Sequence, residues 1–244
     1  MKTSYPPVYL VTLLVLAMLG AILLCCRRQI STAQVAGGSI PLPAAKTKGE
    51  MSLEEAIAKR RSIRAFSSRT LTMEQISQLA WAAQGITDSK RMLRAAPSAG
   101  ALYPLELYFV TSEGAFHYLP VRQAHRPELV EGAEDHSLAQ LATADLRSPL
   151  AAAALGQNSV ASAPLDVVIA AVYERTRKKY GNRAERYVHL EAGHAAQNLL
   201  LQATALGLAG VPVGAFDDEK VAAVLSLPDD QQPLYIIPIG YPPD

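Results

Sequence analysis

Arg60-Arg61-Ser62-Ile63-Arg64 sets three guanidinium groups and a hydroxyl within one short segment. Guanidinium forks match phosphate oxygens in both charge and geometry, so such a cluster can hold an anionic group through several donors. On charge alone it fits a solvated basic face equally well. Pro97-Ser98-Ala99-Gly100-Ala101-Leu102-Tyr103-Pro104 offers something different. Side chains this small let a backbone come close enough to a ligand for its N–H groups to meet polar edges. An ordinary loop leading into a strand is the plainer reading. Val211-Pro212-Val213-Gly214-Ala215-Phe216-Asp217 is a third small-residue loop, ending on a good helix N-cap.

Other chemistries find little support. The five histidines, His117, His125, His136, His189 and His194, show no ligand spacing with carboxylates, and no metal is expected. His189 and His194 lie five apart and share no helix face. The two cysteines, Cys25 and Cys26, are adjacent, which argues against a disulfide framework. With no cysteine elsewhere, the rest of the chain has neither thiolate metal sites nor a catalytic thiol. A net charge of +1 over 244 residues gives no reason to expect nucleic acid as a partner. Trp81 falls in a helical apolar stripe and is expected in the core rather than against a cofactor.

The elements that must position these segments are legible from local signals. Ser52 with Glu55 forms a capping box at the start of one helix, and Thr72 with Gln75 repeats it. Ile76, Leu79, Ala80 and Ala83 follow at helical spacing, and Gly85 closes that helix. Leu105 to Thr111 reads as a strand, turned at Ser112-Glu113-Gly114 into a second strand over Ala115 to Leu119. The Ala-rich stretch from Arg126 to Asn158 is predicted helical. Leu165 to Val172 is a continuous apolar run suited to a strand buried on both faces. Glu185 to Leu206 is the longest predicted helix, stopped by Gly207, with Leu190, His194, Gln197 and Leu201 at three- and four-residue steps. Asp217 caps a short helix to Leu225, and Leu234 to Ile239 forms a last strand. Helices mixed with a modest number of strands give an α+β or α/β domain.

Residues 8–26 carry no charge and are mostly Leu, Val, Ala and Ile, long enough to cross ~30 Å of hydrocarbon as a helix. Arg27-Arg28 directly follow, a poor approach to a cleavage site, so an uncleaved membrane anchor over 1–28 is expected in preference to a signal peptide. Charges on the two flanks are nearly balanced and set no firm orientation. Residues 29–50, with Gly37-Gly38, Pro41 and Pro43, read as a linker to a domain over 51–244.

Taken together and in this order, the three loop segments resemble the nitroreductase superfamily. The Pro-Ser-Ala-Gly-Ala-Leu-Tyr-Pro run is similar to that of the SagB-type dehydrogenases, flavoenzymes that oxidise azolines to azoles. The likeness continues through Lys179-Tyr180-Gly181, Arg186-Tyr187, Leu190 to Leu199, Gly214 to Asp218 and Gly240-Tyr241-Pro242, and so covers Ser52 to Pro242. It implies an α+β, nitroreductase-like fold with a mixed sheet flanked by helices, and an interleaved homodimer binding FMN at its interface. Arg60, Arg61, Ser62 and Arg64 would hold the phosphate and nearby ring edge. Pro97, Ser98, Ala99, Gly100 and Leu102 would line the isoalloxazine from the partner chain or the opposite side, and Val213, Gly214 and Ala215 would approach its reactive nitrogen. The long helix from Glu185 would form much of the dimer core, with Gln197 and Asn198 as interface hydrogen-bonders. Many nitroreductases also carry a basic pair near the C-terminus. This chain ends Gly240-Tyr241-Pro242-Pro243-Asp244 without one, leaving Arg183 or Arg186 to assist.

Lys179-Tyr180 matches the Lys-Tyr pair that SagB-type enzymes use near substrate. Dehydrogenation removes a hydride and a proton from neighbouring atoms, so beside the flavin it needs a base. A lysine serves when burial or a nearby cation, here Lys178 or Arg177, eases its deprotonation. The plainer reading is a polar loop with Lys179 in solvent. A small molecule or a peptide fits as substrate. An NAD(P)H-dependent nitro or quinone reductase, a flavin-binding module without turnover, and a dimeric scaffold without cofactor are the alternatives.

Overall fold

The computed structural model describes residues 39–120 and 136–243, all within one compact unit, Val35–Asp244. The apolar segment 8–26 and His125 lie outside the described residues. Among those described, no helix is long and apolar enough to cross a membrane.

The centre is a seven-stranded sheet in the order β1-β6-β5-β4-β7-β9-β8: β1 Ser39–Pro41, β4 Leu105–Thr111, β5 Gly114–Leu119, β6 Ser137–Ala142, β7 Leu165–Ala171, β8 Ala209–Gly210 and β9 Gln232–Gly240. A two-stranded ribbon of β2 (Ile86–Asp88) and β3 (Leu93–Arg94) stands apart from it. Every ladder in the large sheet is antiparallel, and the parallel component is the bridge Ser62↔Gly210. β7 shows why its sequence is apolar without interruption. Leu165, Val167, Ile169 and Ala171 face one core, and Val168 and Ala170 face the other.

Helices cover both faces. On one side lie α2 (Met73–Gln84) and α6 (Ala184–Ala205), which bury Ile76, Leu79 and Ala83 with Val188, Ala192, Ala195 and Leu199. On the other lie α3 (Arg147–Ala153), α4 (Asn158–Ser162) and α7 (Asp218–Val224), burying Leu150, Val160 and Val221. Helix α1 (Leu53–Lys59) packs on α6, and α5 (Tyr173–Tyr180) runs directly out of β7. The architecture is α+β, a mixed sheet flanked by helices. Both capping boxes are formed, Ser52 with Glu55 and Thr72 with Gln75. Gly85 ends α2 through close approach: a Cβ there would lie 2.4 Å from Trp81 Cδ1. Trp81 itself is half-buried, its Nε1 donating to the Ile86 carbonyl at 3.2 Å.

Three expectations need correction, and the structure fixes which face of α6 is buried. The linker assigned to 29–50 is in part folded structure. β1 pairs with β6, Leu42 is buried, and Lys46 exchanges backbone hydrogen bonds with the Gln78 side chain at 2.8 and 3.0 Å. Pro41 is tolerated because β1 is an edge strand. The stretch predicted helical from Arg126 to Asn158 contains strand β6, whose Leu138 and Leu141 point to opposite cores. Pairing with both β1 and β5 overrides its helical propensity. Lys179 and Tyr180 sit on a helix rather than a loop. On α6 the Leu190, His194, Gln197 stripe faces outward, and the Ala-rich face is the one buried.

Candidate functional site

The loop Pro97–Tyr103 is held in a shape that local sequence does not favour. Gly100, Ala101 and Tyr103 all have positive φ, at 65°, 54° and 45°. Two of them are not glycine, so the loop stores strain on the order of 1–2 kcal/mol at each. Side chains fix it from within and below. Ser98 Oγ accepts the Tyr103 N–H at 2.9 Å, and Tyr103 OH accepts the Arg94 N–H at 3.1 Å. The Arg94 guanidinium lies over the Tyr103 ring, 4.7 Å from its centre. Backbone strain held this firmly marks a candidate site.

Helix α5 delivers two side chains to this loop. It starts at the end of β7, where the Val172 N–H donates to the Pro104 carbonyl at 2.8 Å, and it ends at Gly181, φ 55°. A Cβ placed on Gly100 would stand 2.9 Å from Lys179 Nζ and 2.9 Å from Tyr180 OH. Glycine adopts this left-handed conformation without strain and leaves the two side-chain ends in place, which an added Cβ would push aside. The structure thus brings Gly100, Lys179 and Tyr180 together. Lys179 is exposed, and Tyr180 rests edge-on against Tyr187 with ring centres 5.0 Å apart.

Charged groups unassigned from sequence sit behind the loop. Arg175 donates Nη1 to the Tyr103 carbonyl at 2.9 Å and pairs through Nη2 with Glu106. His117 Nε2 lies 2.7 Å from the other Glu106 oxygen. Burial pushes the Glu106 carboxyl up, but the hydrogen bond and charge of His117, with the charge of Arg175, outweigh it and hold it at about 2. Glu191, on the inner side of α6, is buried. Burial raises its carboxyl to about 7 against the opposing pull of Ser98, Arg94 and Gln84. Among the described residues its Oε1 and Gln84 Nε2 have no hydrogen-bond partner. Both acids carried a sequence signal: each is a charge set among residues of an apolar strand or helix face.

The other two segments meet at the β8 end of the sheet. Arg60 closes α1, and Ser62 pairs with Gly210 immediately ahead of the Val211–Asp217 loop. Val213 then pairs with Ile236. Gly214 and Ala215 are exposed, the Ala215 carbonyl accepting from Gln157 Nε2 at 2.8 Å. Asp217 caps α7 by accepting the Lys220 N–H at 3.1 Å. Arg61 turns back onto the carbonyls of Ala58 and Arg60, at 2.9 and 2.8 Å, which commits its Nη1 to the end of α1. Among the described residues neither Arg60 nor Arg64 has an ion-pair partner, which leaves their guanidinium groups available to an anion. Helix α6 packs against α1, β8 and the Ala99–Ala101 turn, so it underlies both groups of residues. Near its start a cleft of about 480 Å³ is lined by Asn182, Glu185, Arg186, His189 and Leu190. Tyr173 OH lies 2.6 Å from His189 Nε2 at that end. Among the described residues no cluster of His, Cys, Asp and Glu could hold a metal ion.

Guanidinium groups without ion-pair partners among the described residues, on the segment paired with the strand ahead of an exposed small-residue loop, suit a phosphorylated ligand. Comparison with known proteins agrees in outline. The profile of the Nitroreductase family matches residues 57–241. The chain is 41% identical over 197 residues to the putative nitroreductase MJ1384 of Methanocaldococcus jannaschii, covering 78% of this chain and 91% of that protein. It is 26% identical over 168 residues to the Microcin B17-processing protein McbC of Escherichia coli, covering 64% of this chain and 57% of that one. Among solved structures, a putative nitroreductase from Ralstonia eutropha superposes with a TM-score of 0.73 at 29% identity, over 88% of this chain and 93% of that one.

Proposed function

The chain belongs to the nitroreductase family of oxidoreductases, and on that premise we propose that it is an FMN-dependent dehydrogenase of the SagB type, transferring hydride between an azoline-like substrate and FMN. The observation that carries this reading is the convergence of Lys179 and Tyr180 on Gly100. The likeness to McbC, whose name assigns it to microcin processing, supports a substrate on a peptide.

FMN, when bound, supplies the hydride acceptor. The protein does the rest. Arg60 and Arg64 neutralise the phosphate, assisted by the free end of Arg61 and by Ser62. The Pro97, Ser98, Ala99, Gly100, Leu102 backbone, from the partner chain or the opposite side, and that of Val213, Gly214 and Ala215 would line the ring and exclude water. Lys179 Nζ takes the proton from the substrate atom next to the carbon that loses hydride, and Tyr180 OH orients that substrate. A second copy of the chain completes the site: the outward Leu190 on α6, 52% exposed, and Leu53 and Ile57 on α1, 62% and 56% exposed, supply apolar surface for it. Residues 8–26 tether the enzyme to a membrane.

A second reading, an NAD(P)H-dependent nitro or quinone reductase, is favoured by the name of the 41% identical relative. Purifying the full chain in detergent, recording its visible spectrum and weighing any released cofactor tests both. A colourless protein that takes up no added FMN overturns the assignment. Arg60→Ala with Arg64→Ala is expected to lower FMN occupancy. Lys179→Ala is expected to keep flavin while slowing azoline oxidation. Nitro or quinone reduction by NAD(P)H with no azoline turnover in the parent enzyme favours the second reading.

A further inference from the structure

Arg175 stands one turn before Lys179 on helix α5. Its guanidinium is divided between two acceptors of different kinds. Nη2 pairs with Glu106 on β4, which is 4% exposed and held from its other side by His117 of β5. Nη1 donates to the carbonyl of Tyr103 at 2.9 Å. Tyr103 is the left-handed residue that ends the strained loop, and Gly100 of that loop is what Lys179 and Tyr180 meet. The second Glu106 oxygen is taken by His117, so the bidentate arrangement that arginine favours is not formed here. One amino group is spent on a backbone oxygen instead.

We propose that Arg175 is a positioning residue: it ties the helix carrying Lys179 and Tyr180 to the loop carrying Gly100, and so sets the register in which they face the reacting atoms. The proposal rests on the reading of Lys179 and Tyr180 as site residues. Only a fork can reach both acceptors at once. A lysine would keep one cation beside Glu106 while losing the tie to Tyr103. The circuit runs from His117 through Glu106 and Arg175 to the Tyr103 carbonyl, and it ties the helix that carries the exposed Lys179 to the buried middle of the sheet. Small displacements of a reacting group are costly in rate, which gives such an anchor its value.

The test compares Arg175→Lys, Glu106→Gln and Lys179→Ala in the full-length protein. Melting temperature, FMN affinity, kcat and KM are measured. So is the rate at which an amine-reactive acylating reagent labels Lys179, followed by peptide mass spectrometry without substrate. Arg175→Lys is expected to hold FMN within about threefold of the parent, with kcat down ~10–100-fold, KM within about threefold, and Lys179 labelled several-fold faster. Glu106→Gln is expected to melt lower while labelling at the parental rate, since the Tyr103 tie survives. Parental kcat and labelling in Arg175→Lys overturn the proposal, as do parallel changes in the two variants, which denote an ion pair that only stabilises. Full activity in Lys179→Ala removes Lys179 from the reaction, and labelling still decides whether Arg175 sets the register. If Arg175→Lys does not fold, faster Lys179 labelling in Glu106→Gln overturns the proposal by itself.

Discussion

Glu106 and His117 share a hydrogen bond, Oε2 to Nε2 at 2.7 Å, with both side chains almost wholly closed to water. The buried carboxylate is the shared partner of the His117 imidazole and the Arg175 guanidinium, so its removal strips a polar partner from each of them. Glu106→Ala is therefore expected to cost roughly 3–5 kcal/mol at neutral pH, read by urea unfolding. Its pH dependence has a definite sign. The folded carboxyl sits at about 2, below the ordinary 4.5. Its contribution is complete above 4.5 and is lost as pH falls through about 2. The gap between parent and variant should narrow across that window, and a constant gap would refute the assignment.

Glu191 has the opposite sign. Its folded carboxyl is raised from 4.5 to about 7, chiefly by burial. The folded state then binds the proton more tightly, so stability is full below 4.5 and declines as pH rises through about 7. Glu191→Gln removes the ionisation and should exceed the parent by on the order of 2–3 kcal/mol at alkaline pH while matching it under acid conditions. Melting temperatures across this range decide it. A variant that is less stable than the parent at every pH would show that the carboxylate is better paired than its orphaned Oε1 indicates.

Two glycines separate fold from function. At Gly114, φ 138°, an added Cβ would lie 2.0 Å from the Ala142 carbonyl oxygen, which belongs to backbone and cannot yield cheaply. Gly114→Ala is expected to break the β5–β6 register and leave little folded protein. At Gly100 the added Cβ meets the flexible ends of Lys179 and Tyr180. Gly100→Ala should fold with a loss of about 1–2 kcal/mol from its left-handed backbone and lose most of its activity. Circular dichroism and turnover, measured side by side, check the contrast.

Asp217 caps helix α7 and pairs with Lys220 at 2.8 Å, just after the exposed Gly214 and Ala215. The surface pair contributes little. The cap contributes more: Asp217→Ala is expected to lower the melting temperature and, by loosening the preceding loop, to weaken FMN binding in a titration of apoprotein. Asp217→Asn, which keeps the acceptor oxygen, should restore most of both. Failure of Asn to rescue would place the effect in the charge.

Local chemistry was legible from the sequence alone. The capping boxes at Ser52 and Thr72, the strand at Leu105–Thr111, the buried strand at Leu165–Ala171 and the long α6 each follow from signals that span a few residues, because caps and periodicities are hydrogen bonds and faces within one element. The resemblance carried by Arg60 to Arg64, Pro97 to Pro104 and Lys179-Tyr180 pointed to the family before any geometry. Tertiary structure decided the rest. Ser137–Ala142 became a strand, and Ser39–Pro41 joined the sheet, only because distant partners satisfied their backbone groups. That Glu106 should find His117 and Arg175, and that Lys179 should meet Gly100, depends on which strand lies beside β4 and where α5 leaves β7. Those contacts join residues far apart along the chain, and no local pattern encodes them, because they form only when the sheet has been assembled in its one register.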